Sequence, residues 1–132
     1  MPTAPIHLDT NYLIYYASGG RDDVVEHVEA WLREGRSIHV SAMAWAEFQC
    51  GPLTVREHDL AHDMIHGVLP ITLETGNLAG RLFAMSGRRP RSPADCLIAA
   101  CAIQAQASLA TSNHADFEPF VAHGLVLVRG VC

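Results

Sequence analysis

Between positions 92 and 107 the chain offers almost nothing polar to water. Ser92-Pro93-Ala94-Asp95 marks a helix start, with serine at the cap, proline at the first helical position and an acid three residues after the cap in a capping-box-like pattern. In the helix predicted to run on to about Ala107, Leu97, Ile98, Cys101, Ala102 and Ala105 mark one face, and Ala99 and Ala100 fill much of the rest. A helix this apolar has to be buried on more than one side. It therefore requires a layered fold around it.

The flanking chain supplies the layers. Ile6-His7-Leu8 is a short apolar run that stops at Asp9 and reads as a first strand, followed by a short helix over 12–17 that Ser18-Gly19-Gly20 ends. Over 22–34, Val24, Val25, Val28, Trp31 and Leu32 recur at helical spacing opposite Glu26, Glu29 and Arg33. Acids at Asp22 and Asp23 suit the positive end of that helix, Gly35 is its expected terminator, and Trp31 is expected in the core. Ile38-His39-Val40 is a second strand, and Ser41 caps a helix carrying Ala44, Trp45, Glu47 and Phe48 before Gly51-Pro52 breaks it.

A helix over 54–67 places His58, His62 and His66 on one side. No catalytic signature surrounds them, and a solvated polar face accounts for them better than a metal site does. A third strand is predicted over 68–72 and a helix over 73–85, in which Gly76 and Gly80 allow a close backbone approach at about 1 kcal/mol each in helix propensity. Residues 108–111 form a fourth strand, and Asn113-His114-Ala115-Asp116 repeats the cap-plus-acid pattern before Phe117 and Phe120. The last run, Leu125-Val126-Leu127-Val128, reads as a strand covered on both faces. Strands alternating with helices indicate an α/β fold with a mainly parallel sheet and right-handed crossovers.

At 132 residues the chain is expected to form one domain, 1–132, and its 49% hydrophobic and 17% charged composition is that of a globular protein. No apolar stretch is long enough to cross a bilayer, and Met1-Pro-Thr-Ala-Pro5 lacks the basic and apolar regions of a signal peptide, so a cytoplasmic protein without a membrane partner is expected. Cys50, Cys96, Cys101 and Cys132 have no CxxC spacing and are read as buried free thiols. The formal net charge of −5 argues against a protein that grips nucleic acid through a broadly basic surface. It leaves room for a nuclease, because acids gathered to hold metal ions make net charge a poor guide to local potential. All nine basic residues are arginine, and Arg88, Arg89 and Arg91 crowd one loop. That run is either a solvated loop or a phosphate contact.

Four acids fall where this topology brings them to one place. Asp9 follows strand one, Glu47 lies on the helix after strand two, and Asp116 opens the helix after strand four. Asp95 begins a crossover helix running antiparallel to the strands, so its start lies at the same carboxyl edge, where such sheets bind ligands. Alone, Asp9, Asp95 and Asp116 each read more readily as helix-end acids. Together, converging carboxylates call for a divalent cation, and oxygen-only ligands suit Mg²⁺ or Mn²⁺ and metal-assisted hydrolysis of a phosphodiester.

Leu8-Asp9-Thr10-Asn11, Trp45-Ala46-Glu47, Asp95-Cys96-Leu97-Ile98-Ala99-Ala100 and Thr111-Ser112-Asn113 followed by Asp116-Phe117 resemble the ordered acidic motifs of PIN-domain proteins, especially the VapC toxins of bacterial toxin–antitoxin pairs. The resemblance covers essentially the whole chain. It implies a five-stranded sheet in the order 3-2-1-4-5 flanked by helices, a Mg²⁺- or Mn²⁺-dependent endoribonuclease acting on RNA, a homodimer, and a cognate VapB-like antitoxin that occludes the site. Asp9, Glu47, Asp95 and Asp116 match its metal-site acids. Asn113 stands where many relatives place an acid, and it offers a carbonyl oxygen without a charge. Thr10 and Asn11 are candidate supporting donors, or simple helix caps. Arg88, Arg89 and Arg91 are candidates to guide RNA toward the acids.

Two other readings fit parts of the pattern. A PIN-like module of little activity would act through its antitoxin in a DNA-bound complex. A phosphatase using Asp9 as nucleophile resembles the haloacid-dehalogenase-like enzymes, although Asn11 stands where their second acid belongs.

Overall fold

Neighbouring parallel strands need a crossover of a dozen or more residues, usually helical, and the helices of this chain supply those crossovers. The computed structural model describes residues 4–87 and 92–129. Strand β1 (Ile6–Leu8) leads through α1 (Thr10–Ser18) and α2 (Asp22–Arg33) to β2 (Ile38–Ser41). Helices α3 (Ala42–Cys50) and α4 (Val55–Met64) connect to β3 (Gly67–Leu69), and α5 (Leu73–Met85) and α6 (Pro93–Gln104) connect to β4 (Ser108–Ala110). A short α7 (His114–Phe117) and a 3₁₀ turn (Glu118–His123) precede β5 (Val126–Leu127).

The strands pair in parallel in the order β3-β2-β1-β4-β5, as the resemblance implied. β1 is central: Ile6 pairs with Ile38 on one side and Ser108 on the other, and Leu8 pairs with Ala110. Alternation along the strands divides the core. Ile6 and Leu8 pack with Leu13, Val28 and Phe48, and Leu109 and Leu127 pack with Leu82, Ile98 and Phe120. Helix α6 buries Cys96, Ile98, Ala99, Ala100, Cys101 and Ala102, so it is covered around most of its circumference, as its lack of polar residues required. Trp31 is buried. So is His7, which is 2% exposed and has no hydrogen-bond partner for either ring nitrogen among the described residues.

Several elements differ from the sequence expectation for identifiable reasons. The third strand covers 67–69 and stops before Pro70, which has no N–H for the ladder; Thr72 is spent as the cap of α5, accepting from the Thr75 amide. Helix α4 ends at Met64, so His66 leaves the histidine row, and its Nδ1 accepts the Ile38 amide at 3.0 Å. Helix α6 ends at Gln104, just before Gln106 turns to a positive φ of 53°. Strand β5 is an edge strand covered on one face: Val126 is 57% exposed.

A Cβ added to Gly76 or Gly80 meets nothing within 4 Å, so these glycines border an apolar cleft with Phe83 and Leu97 and do not receive a close neighbour. Cys96 and Cys101 are buried thiols but Cys50 is exposed, and Cys132 lies outside the described residues. Asn113 precedes α7 without making a side-chain cap. Among the described residues no helix is long and apolar enough to cross a membrane.

Candidate metal centre

Each strand of a parallel sheet ends at the same edge, and the residues just past those ends build the site. Asp9 follows β1 directly, and its amide donates to the carbonyl of Ala110, locking it to β4. It is the N-cap of α1, the first of the two roles that the sequence left open. Its Oδ1 accepts from the Thr10 amide at 2.8 Å, as an N-cap does, while Oδ2 accepts from Thr111 Oγ1 at 2.8 Å and from Asn11 Nδ2 at 3.2 Å. The side chain is 5% exposed.

Glu47 arrives from β2. Ser41 Oγ accepts from the Ala44 amide and starts α3, which sets Glu47 one and a half turns further on. Its Oε1 accepts from Thr10 Oγ1 at 2.6 Å. Thr10 thus holds Asp9 with its amide and Glu47 with its hydroxyl. Asp95 sits at the start of α6, where its amide donates to Ser92 Oγ at 3.0 Å. Its charge and that of Glu47 both reach Asp9.

The electrostatics follow from this crowding. Burial pushes the Asp9 carboxyl up to about 6 from 3.8; hydrogen bonds from Thr111 and Thr10 oppose the rise, and the charges of Asp95 and Glu47 add to it. Among the described residues neither Asp9 nor Glu47 is ion-paired with a basic side chain. Asp9 therefore carries the pressure of two neighbouring acids, Asp95 and Glu47, without a basic ion-pair partner of its own among the described residues.

The other sequence candidates take different positions. Asp116 stands on α7, half-buried, its amide donating to the Asn113 carbonyl. It connects to Asp9 through the chain, since the Asn113 amide donates to Thr111 Oγ1 at 3.0 Å and Thr111 in turn donates to Asp9. Asn113 therefore participates through its backbone, and its side chain makes no cap. Asn11 ties the two halves of the edge together, its Nδ2 donating to Asp9 while its Oδ1 accepts the Ser112 amide at 3.2 Å. As a donor, Asn11 does not serve as the second acid that a phosphatase of the haloacid-dehalogenase type requires. Arg88, Arg89 and Arg91 lie outside the described residues.

Thr111 is the member that the sequence reading missed. It is 3% exposed and gives its only hydroxyl proton to Asp9. The signal was its register: with Leu8 opposite Ala110, the residue just past β4 falls beside Asp9.

An all-oxygen group of carboxylates suits a hard divalent ion. As they stand, no three His, Cys, Asp or Glu side chains among the described residues are grouped closely enough to hold one ion. The oxygens of Asp9 and one oxygen of Glu47 are instead engaged by Thr10, Asn11 and Thr111. A cleft of about 210 Å³ opens beside Thr111 and Ser112, walled by Tyr12, Arg21, His27 and His114. A cavity of about 490 Å³ lies elsewhere, between α1, α2 and α4, and includes none of the four acids.

Residues 6–119 match the family model described as the PIN domain. Among solved structures, the chain is similar to the Rickettsia felis VapBC2 complex bound to a promoter DNA fragment (21% identity, 96% of this chain and 98% of that chain, TM-score 0.78). It is also similar to DNA-bound VapBC from Salmonella typhimurium (21%, 96% and 98%, TM-score 0.71) and to a toxin–antitoxin complex from Klebsiella pneumoniae (22%, 85% and 89%, TM-score 0.65). At these identities the structural likeness speaks for the fold. No curated protein matches the chain in sequence.

Proposed function

Because this chain belongs to the PIN-domain family, we propose that it is a VapC-like, metal-dependent endoribonuclease toxin held in check by a cognate VapB-like antitoxin. One observation carries the reading. Asp9 is a buried carboxylate with a raised pKa, pressed by Asp95 and Glu47 and lacking a basic partner among the described residues. A divalent cation removes that cost, and the oxygen-only donors select Mg²⁺ or Mn²⁺ over softer ions.

Asp9, Glu47, Asp95 and Asp116 would hold the ion. When bound, it lowers the pKa of water and stabilises charge developing on the oxygens around the scissile phosphorus. The chain's own residues prepare that event. Thr111, Asn11 and the Thr10 amide fix both oxygens of Asp9, and the Thr10 hydroxyl keeps Glu47 beside it, so little reorganisation is left for the reaction. Arg88, Arg89 and Arg91, a few residues before Asp95, guide the RNA backbone toward the acids. The reaction is hydrolysis: water adds at phosphorus and the bond to the leaving oxygen breaks. The likeness to solved VapBC and toxin–antitoxin complexes supports the antitoxin partner, and the family resemblance supports a homodimer working in the cytoplasm.

Purified protein should cleave structured RNA when Mg²⁺ or Mn²⁺ is added, and Asp9→Asn or Asp95→Asn should remove the cleavage. Equal cutting by those variants, or cutting in EDTA, refutes the assignment. A second reading draws on the absence of a ready three-ligand group among the described residues and on the DNA-bound neighbours: a module of little activity that acts through its antitoxin on DNA. Tight antitoxin binding with no metal-dependent cleavage by the free chain would favour it.

A further inference from the structure

The histidine row of the sequence divides in the structure. His66 lies past the end of α4, and its Nδ1 is engaged by the Ile38 amide. His58 and His62 remain, one turn apart on α4, with rings stacked at 15° and centroids 6.0 Å apart. Both rings lie against Trp45 of α3, at 5.8 and 6.5 Å. The side chains are 41% and 67% exposed, so solvent reaches them and their torsions are free to adjust.

A second observation concerns the lone pairs. His58 Nδ1 lies 3.3 Å from the carboxylate of Asp59, and His62 Nδ1 lies 3.4 Å from that of Asp63. An ionised carboxylate only accepts, so the tautomer of each neutral ring that makes this contact carries its proton on Nδ1 and leaves the lone pair on Nε2. A carboxylate on the far nitrogen is also the usual partner of a metal-bound histidine, fixing its tautomer and raising its basicity. The helix therefore repeats one arrangement twice at a spacing of four residues: a ring against Trp45 with its Nδ1 beside the following acid.

We propose that His58 and His62 form a two-point site for a borderline divalent transition metal of the Zn²⁺, Ni²⁺ or Cu²⁺ class, bound through the two Nε2 atoms. The stacked rings pivot toward each other until each nitrogen is about 2.0–2.1 Å from the ion. Water completes the coordination, since no group of three His, Cys, Asp or Glu among the described residues is arranged around one ion. Imidazole nitrogen favours these metals over Mg²⁺, which takes oxygen. The site is thus chemically separate from the acids at the sheet edge and stands whether or not they support catalysis.

Titrating the untagged protein with Ni²⁺ in excess Mg²⁺ tests this by calorimetry and tryptophan emission together. One ion should bind, and emission should fall because the ion sits against Trp45. His58→Ala and His62→Ala should each weaken binding at least tenfold and remove the quenching, and His66→Ala should change neither. Zn²⁺ should compete with Ni²⁺ and relieve the quenching. Binding that survives both the His58 and His62 substitutions, or no Ni²⁺ binding by the unsubstituted protein, overturns the proposal.

Discussion

His7 on the central strand and Asp9 just past its end are displaced from their ordinary pKa values in opposite directions. Asp9 is raised from 3.8 to about 6, so the folded protein binds this proton more tightly than the unfolded chain does. Metal-free stability therefore falls as pH rises from 3.8 to 6, and above that range the ionised carboxylate costs about 3 kcal/mol. His7 is lowered from 6.5 to about 4 by burial and by the neighbouring His39. Its stability contribution is full above 6.5 and is lost as pH falls toward 4, again about 3 kcal/mol. Between pH 4 and 6 the two slopes nearly cancel. Asp9→Asn should remove one of them, so denaturant unfolding of the metal-free variant should show stability dropping steeply from pH 6.5 to 4 while the unsubstituted protein stays nearly flat. Parallel pH profiles for the two proteins would show that Asp9 titrates normally.

At the scale of elements, caps decide where the site acids stand. Ser92 accepts from the Asp95 amide, so Ser92→Ala should cost about 1 kcal/mol in urea unfolding, with an unchanged dependence on urea concentration. An unchanged midpoint would mean that water replaces the hydroxyl. Such local signals explain which parts of the structure could be read from the sequence. Ser41 and Ser92 cap the helices that the sequence assigned to them, the 73–85 helix has its expected bounds, and the candidate acids Asp9, Glu47 and Asp95 stand by a strand end or on the helix expected for each. The misplaced boundaries depended on competition between neighbours. The apolar run through Ile71 looked like strand, but Pro70 cannot donate and Thr72 is drawn into the cap of the next helix. Thr111 was missed because its role appears only in the register of β1 against β4, more than a hundred residues apart in sequence. Likewise, the solvent exposure of Val126 follows from β5 being at the sheet edge, which an apolar run does not reveal.

For the molecule as a whole, a formal charge of −5 with Asp95 and Glu47 acting on the buried Asp9 leads, on the proposed function, to a stability that depends on divalent cations. An ion held by those acids binds only the folded chain, so Mg²⁺ at about one hundred times its dissociation constant adds about 2.7 kcal/mol. Competition from the Asp9 proton should make this gain larger at pH 7 than at pH 5, and Asp9→Asn should reduce it at both. Thermal unfolding with and without Mg²⁺ at the two pH values measures the difference, and equal gains in both proteins would place the ion elsewhere. The hydrogen bonds of the site carry a further implication for its biogenesis. The bond from Thr111 to Asp9 spans 102 positions, and the bond from Ser112 to Asn11 spans 101. Contacts this distant form only after a large loop closes. A ribosome that has released the first hundred residues has therefore made Asp9, Glu47 and Asp95 but neither of the groups that clamp the edge shut. The acids come under full control only once the chain past β4 has been made, so a truncated chain ending before β4 should be inert.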